Sequence, residues 1–225
     1  MIGLFTHVHD VVTAFATGKL VLIVDEEREH EGDVAVAAHR VNSAAITFMA
    51  TQARGLICVP MLGARLDALD LPLMVGSRGE MDVPAFTLSV DAREGVTSGI
   101  SAEDRARTVH ALIDPATRPE DLVRPGHMFP LRYTEGGLLK RCGHTEAAVD
   151  LAKLAGCYPA AVICEVMNDD GTMADEQQLI DFAARHRLPV VSISDLTEYL
   201  RRTESAAQKR ELLSDPVATD PVAEG

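Results

Sequence analysis

The chain has 225 residues, which fits one large domain or at most two small ones. Lys and Arg number 21 against 34 Asp and Glu, a formal charge of −13 that repels phosphate backbones and anionic membrane surfaces and argues against nucleic-acid binding. Apolar residues make up 47% of the chain, aromatics only 4%, and Trp is absent, so the core has to be aliphatic. A small anionic substrate stays compatible with this balance if basic residues gather locally. Cys58, Cys142, Cys157 and Cys164 form no C-x-x-C pair, which speaks against a structural zinc site. The first residues lack the apolar stretch of an export signal, and no run reaches the ~18 apolar residues of a membrane span. Reduced thiols in the cytoplasm are the expectation.

In chain order, Val8, Val11, Val12 and Phe15 recur at helical spacing, and Gly18 reads as the stop. Leu20–Val24 is a short apolar strand, followed by a charged run, Asp25–Asp33, and a second strand, Val34–Ala38. Ile46, Met49, Ala50 and Ala53 predict a helix, and Leu56–Met61 a strand. Residues 75–84 are polar and rich in Gly and Pro, hence a loop. Ala85–Ala92 alternates as a strand, and Ser101, with Asp104 three residues on, opens a helix to about Ile113. Pro115, Pro119 and Pro125 mark an irregular connection before a short strand, Phe129–Tyr133. Thr145 is placed as the cap of a helix that Gly156 ends. Ala160–Val166 is a strand, Asp169-Asp170-Gly171 a turn, residues 176–186 a helix, Val190–Ile193 a strand, and Asp195 the start of the last helix. The alternation predicts an α/β (mixed α+β) sandwich in one domain, residues 1–202, with a polar, disordered tail from 203 to 225.

Several segments carry chemistry. The run Asp25–Asp33 reads either as a solvated acidic hairpin or as a site. It begins where a buried strand ends, holds Arg28 among carboxylates, and offers the oxygen ligands that Mg²⁺ and Mn²⁺ take. Arg141-Cys142-Gly143-His144-Thr145 opens a helix whose free N–H groups attract anions, with Arg141 as a bidentate donor for phosphate. His144 either ligates a metal or packs. Pro125-Gly126-His127 is a turn with an exposed His or a proton-transfer group. Glu165, at the end of AAVICEV, either faces solvent or is a partly buried general base. Thr97 and Ser98 supply hydroxyls to a ligand or to the next helix. The cysteines read as core residues.

Taken together and in this order, VDEEREHEGD, ARGLICVPM, LPLMV, AFTLSVDAREGVTSGISAEDRA, RPGHMFPLR, GGLLKRCGHTEAAVDLAKLAG, VICEVMNDDGTMA and FAARHRLPVVSISDL resemble the 3,4-dihydroxy-2-butanone 4-phosphate synthase family of riboflavin biosynthesis, from about residue 20 to about 200. The resemblance implies a carbon–carbon lyase that converts D-ribulose 5-phosphate to L-3,4-dihydroxy-2-butanone 4-phosphate and formate. It implies Mg²⁺ or Mn²⁺, two cations per site with substrate, on Glu29 and His144. Substrate binding falls to Arg28, Glu29, Asp33, Thr97, Ser98, Arg141, Gly143, His144, Thr145 and Glu165, and proton transfer to His127, Glu165 and Asp33. A homodimer with sites completed across the interface is implied as well. This chain departs from the family at His30, where Asn is usual, at Ser98, where Thr is usual, and in Gly76-Ser77-Arg78. Those departures leave two alternatives: a related metal-dependent sugar-phosphate enzyme of a secondary pathway, and a non-catalytic sugar-phosphate-binding homologue. The family also occurs fused to GTP cyclohydrolase II; the chain length and the cysteine spacing here lead us to expect no such second unit.

Overall fold

The structure is a computed structural model that describes residues 6–75 and 84–214, with side chains through residue 205. A seven-stranded mixed sheet runs through the molecule. Its strands are β1 Val21–Val24, β2 Gly32–Ala37, β3 Cys58–Met61, β4 Val90–Ala92, β5 Leu122–Arg132, β6 Ala161–Glu165 and β7 Val190–Ser192, in the spatial order β4-β5-β3-β6-β2-β1-β7. Among the described residues seven α-helices flank it: α1 Val8–Ala16, α2 Ser43–Phe48, α3 Gly63–Ala68, α4 Ala102–Ile113, α5 His144–Leu154, α6 Glu176–His186 and α7 Ile193–Ser214.

Alternation along the central strands divides the core in two. Leu22, Val24, Val34, Val36, Val162 and Cys164 point to the side packed by α2, α3, α4 and α6. Val21, Ile23, Ala35, Ala37, Ala161 and Ile163 point to the side packed by α1, α5 and α7. Strands buried on both faces read as continuous apolar runs, which is why VLIV shows no alternation in the sequence. Leu22 and Ile23 are fully buried, each contributing roughly 1.5–3 kcal/mol of apolar burial. The small Ala35, Ala37 and Ala161 let α5, with Ala147, Ala148 and Ala152, lie close to the sheet.

Most expected elements are present, with informative differences. The helix at 176–186 matches, started by Asp175, whose side chain accepts from Gln178 N while Gln178 returns a bond to Asp175 N. Ser101 caps α4 through Asp104 N as expected. Thr145 does not cap α5: Gly143 is the N-cap, with no side-chain bond, and Thr145 is buried in the first turn. Asp195 is not the start of α7, because Ser192 Oγ accepts Asp195 N and the helix begins at Ile193. It runs on to Ser214, past the expected boundary at residue 202. The strand expected over Ala85–Ala92 is regular only from Val90, the earlier residues making isolated bridges. α3 was not anticipated, and the helix over 46–53 is α2 followed by a π turn, Met49–Ala53. Pro125 lies inside β5, the longest strand, and not in an irregular connection. The loop 76–78 lies outside the described residues.

Candidate active site

The hairpin β1–β2 builds one wall of the site. Val24 pairs with Gly32, and Asp25 N donates to Glu31 O, so the charged run closes as a tight turn. Asp25 organises that turn from inside. Its carboxylate is almost fully buried and accepts from the backbone N–H groups of Glu27, Arg28 and Glu29. His30 sits at φ 53, a left-handed position that Asn and His tolerate better than most residues.

Register then brings the carboxylates together. Asp33 on β2 pairs directly with Glu165 on β6, and both side chains point to the α5 side of the sheet. Cys58 and Ile163 pair next to them. The first turn of α5 stands above, so Glu29, Asp33, Glu165, Arg141, His144 and Thr145 line one cleft of about 310 Å³, floored by Cys58, Leu131 and Ile163. A larger space, about 460 Å³, opens between His7 and α7, but among its described lining residues no buried polar atom lacks a partner.

Glu29 and His144 face each other across the cleft, Oε2 to Nδ1 at 3.2 Å. This bond is the main reason the Glu29 carboxyl lies below its ordinary range. Burial disfavours a charged His144, yet the negative charges of Asp33, Glu29 and Asp25 outweigh it and raise its pKa to about 9. Asp33 is buried and pushed up to about 7, by desolvation first and then by the carboxylates of Glu165, Glu29 and Glu31, against the opposing pull of His144. Burial likewise raises Glu31. Asp33 Oδ1 and His144 Nε2 are buried with no hydrogen-bond partner, an arrangement that costs stability unless a ligand completes it.

Glu165 is held in place. Its Oε2 accepts from Leu56 N at 2.8 Å and its carbonyl from Gly55 N at 3.1 Å. A Cβ at residue 55 would lie 2.5 Å from both oxygens, so only Gly permits this approach. Arg141 is nine-tenths buried, with Nη1 donating at 2.5 Å to Glu146, whose other oxygen accepts from Thr134 N. Gly143 makes room for that guanidinium, since a Cβ there would lie 2.4 Å from Nη1. Arg28 Nη1 donates to Cys142 O, tying the acidic turn to the Arg141–Thr145 segment.

The residues suit a hard divalent cation. Two adjacent ligands of an octahedral ion at ~2.1 Å stand roughly 3 Å apart, close to the Glu29–His144 separation. Among the described residues no group of three or more His, Cys, Asp or Glu could hold an ion; Glu29 and His144 are a pair facing each other across the cleft. Mg²⁺ commonly works with one or two carboxylates and completes its shell with water and substrate.

Not every expected residue comes to this cleft. Thr97 and Ser98 lie in the loop before α4, bound to Asp104. Arg28 lines a neighbouring cavity with Cys142 and Thr197. His127 stands four residues before Leu131 on β5, about 13 Å along the strand, exposed, and paired with Asp91. Sequence reading missed Asp91 and Glu146, both buried acids on elements whose apolar pattern drew attention instead. It also missed Asp25, although an Asp at a strand end before a polar run is a turn signal. Cys58 and Cys164 are buried as expected, and desolvation pushes both thiols up, but Cys58 forms part of the cleft floor.

A layered α/β scaffold whose strand ends and one helix N-terminus enclose paired carboxylates, a His–Glu pair and a buried Arg has the chemistry that suits a small anionic ligand and a divalent cation. A model of the 3,4-dihydroxy-2-butanone 4-phosphate synthase family matches residues 9–199. The chain is 55% identical to the 3,4-dihydroxy-2-butanone 4-phosphate synthase of Agrobacterium fabrum, covering 86% of this chain and 92% of that protein. It is 51% identical to the riboflavin biosynthesis protein RibBA of Synechocystis sp. over 95% of its own length, but spans only 39% of that longer protein. A crystal structure of 3,4-dihydroxy-2-butanone 4-phosphate synthase in complex with two magnesium ions superposes with a TM-score of 0.84 at 39% identity, covering 89% of this chain and 99% of that one. A two-domain synthase from A. baumannii superposes at 0.82 with 45% identity, over 86% of this chain and 57% of that one. This chain belongs to the 3,4-dihydroxy-2-butanone 4-phosphate synthase family.

Proposed function

We propose that this chain converts D-ribulose 5-phosphate to L-3,4-dihydroxy-2-butanone 4-phosphate and formate, with Mg²⁺ or Mn²⁺, two ions per site when substrate is bound, as a cytoplasmic homodimer. The observation that carries this reading is the single cleft that joins the Glu29–His144 pair to Asp33, Glu165, Arg141 and the N-terminus of α5. The reaction needs no external oxidant or water, because the five-carbon substrate divides into the four-carbon product and formate with all atoms accounted for.

Arg141 and the free N–H groups of the first turn of α5 bind the phosphate, helped by the Thr145 hydroxyl. Glu165, aimed by Leu56 N, removes the C3 proton to give the enediolate. Asp33, with one oxygen unpartnered, binds the sugar hydroxyls and shares in later proton transfers. Glu29 and His144 would hold a divalent cation, which would supply Lewis-acid stabilisation of charge on the sugar oxygens. Loss of the C1 hydroxyl, the skeletal shift and release of C4 as formate complete the sequence.

His127 serves the cleft of a second copy, which is what gives the homodimer its catalytic meaning. Its distance from its own cleft and the exposure of Leu56, Met74, Leu88 and Ile100 support that arrangement. Mixing inactive His127→Ala and Glu29→Ala chains is then expected to restore about a quarter of normal activity, through heterodimers with one intact site. No recovery on mixing would remove His127 from a shared site.

The primary test is incubation of the purified protein with D-ribulose 5-phosphate and Mg²⁺, with and without EDTA, assaying formate. Formate that depends on the metal is expected; none from folded, metal-supplied protein contradicts the assignment. His30 gives little ground for a different substrate, because it is exposed beside the turn and is not among the residues lining the cleft.

A further inference from the structure

β4 and β5 are out of step at one place, and that slip creates an arrangement outside the cleft. Val90 pairs with Met128, but the next residue, Asp91, pairs with Val123. One step on β4 therefore spans five on β5, and Arg124–His127 bulge out of the ladder. Bulges of this kind turn a side chain away from the direction strand alternation would give it. Here the bulge sets His127 against Asp91 twice: His127 N donates to Asp91 Oδ1 at 2.9 Å, and the ring Nδ1 lies 2.7 Å from Asp91 Oδ2.

The pair is clamped from two sides. Gly126 lies flat on β4, where a Cβ would come within 2.0 Å of the Val90 carbonyl carbon. Gly99, at φ +81, covers the other side; a Cβ there would lie 2.1 Å from Asp91 Oδ2 and 2.7 Å from His127 Nδ1. The Gly99 loop is itself fixed by Asp104. The Asp91 side chain is 11% exposed, whereas that of His127 is 43% exposed, so the acid is enclosed and the ring reaches outward. An exposed ion pair held by long, free side chains shows none of these constraints.

We propose that Asp91 is the positioning residue of His127, holding the neutral ring as the Nδ1–H tautomer so that Nε2 faces outward as the proton-accepting nitrogen. An imidazole whose one nitrogen is tied to a carboxylate has its tautomer and direction fixed for proton transfer at the other. This rests on the reading of His127 as a proton-transfer group; Asp91 touches no substrate and acts only through the ring.

The test combines a spectroscopic and a kinetic arm on the full chain. In ¹⁵N-histidine NMR at about pH 8.5, where an ordinary His is neutral, the wild-type His127 signal, assigned by its absence from His127→Ala, is expected to show Nδ1 protonated. In Asp91→Asn it shifts towards the Nε2–H tautomer. A wild-type ring protonated at Nε2 overturns the proposal, and this holds even if the variant does not fold. In the kinetic arm, Asp91→Asn is expected to lower kcat about 10- to 100-fold with KM within about threefold, and to add no further loss in the His127→Ala background. Wild-type turnover by Asp91→Asn beside an inactive His127→Ala overturns the role of Asp91 and leaves that of His127 standing. Full activity of His127→Ala instead overturns the reading on which the proposal rests.

Discussion

Two buried carboxylates of this protein meet opposite fates. Asp33 and Asp104 are 3% and 4% exposed. Asp104 accepts from Thr97 N, Thr97 Oγ1, Ser98 N and Gly99 N. Burial works against its charge, but the Thr97 hydroxyl and the amides of Thr97 and Gly99 hold the carboxyl below the ordinary Asp range. Asp33 is far more strongly desolvated, has one oxygen without a partner and stands among other carboxylates, which together drive it the other way, to about 7. Desolvation and the donors within reach together decide what such an acid does. The saturated one builds a loop, and the starved one waits for a ligand.

That contrast can be broken from either end. The largest effect is expected where the ligand belongs: Glu29→Ala or His144→Ala lowers formate release by about 10³-fold or more while circular dichroism stays native. Retained turnover in either variant would remove the cation from this pair. Next, a ligand that completes the starved site has to stabilise the fold by linkage. Mg²⁺ at about 100 times its Kd adds roughly 2.7 kcal/mol, or about 5–10 °C in Tm for a chain of this size. Calorimetry is expected to show that rise in the wild type and not in Glu29→Ala. A rise of equal size in both would place the ion elsewhere.

The smallest effect concerns the saturated acid. Asp104→Asn is expected to lower Tm by about 5 °C at pH 7. A carboxyl whose folded pKa is depressed gives stability that is present above its unfolded value and lost as pH falls through the folded one. The Tm gap between variant and wild type therefore closes as pH falls below about 4, which a melting series across pH reads directly. A gap that persists in acid would assign the effect to side-chain packing.

Periodicity and punctuation made much of this fold legible. VLIV, AVICE and residues 176–186 were legible from apolar runs and from Asp and Gly punctuation, whereas the Asp175–Gln178 reciprocal cap emerged only in the structure. β5 was shortened in the reading because Pro125 inside a run argues against a strand, and only the register slip to β4 shows how the chain accommodates it. The charged run 25–33, His144 and Glu165 stood out by residue type and place at strand or helix ends, Glu29 and Asp33 were singled out within the run by the family resemblance, and the four meet in one cleft. The supports were not legible, because Gly55 under Glu165, Glu146 behind Arg141 and Asp91 behind His127 act through contacts made far apart in the chain. His30 looked like a chemical departure in the sequence and is a matter of turn conformation in the structure.

The central claim is that this cleft excises one carbon of a pentose phosphate. Its most direct test is NMR of the products formed from D-ribulose 5-phosphate labelled with ¹³C at C4, in the presence of Mg²⁺. The account predicts that the label appears in formate and is absent from the four-carbon phosphate. Label retained in a sugar phosphate, or formate carrying none of it, would contradict the account.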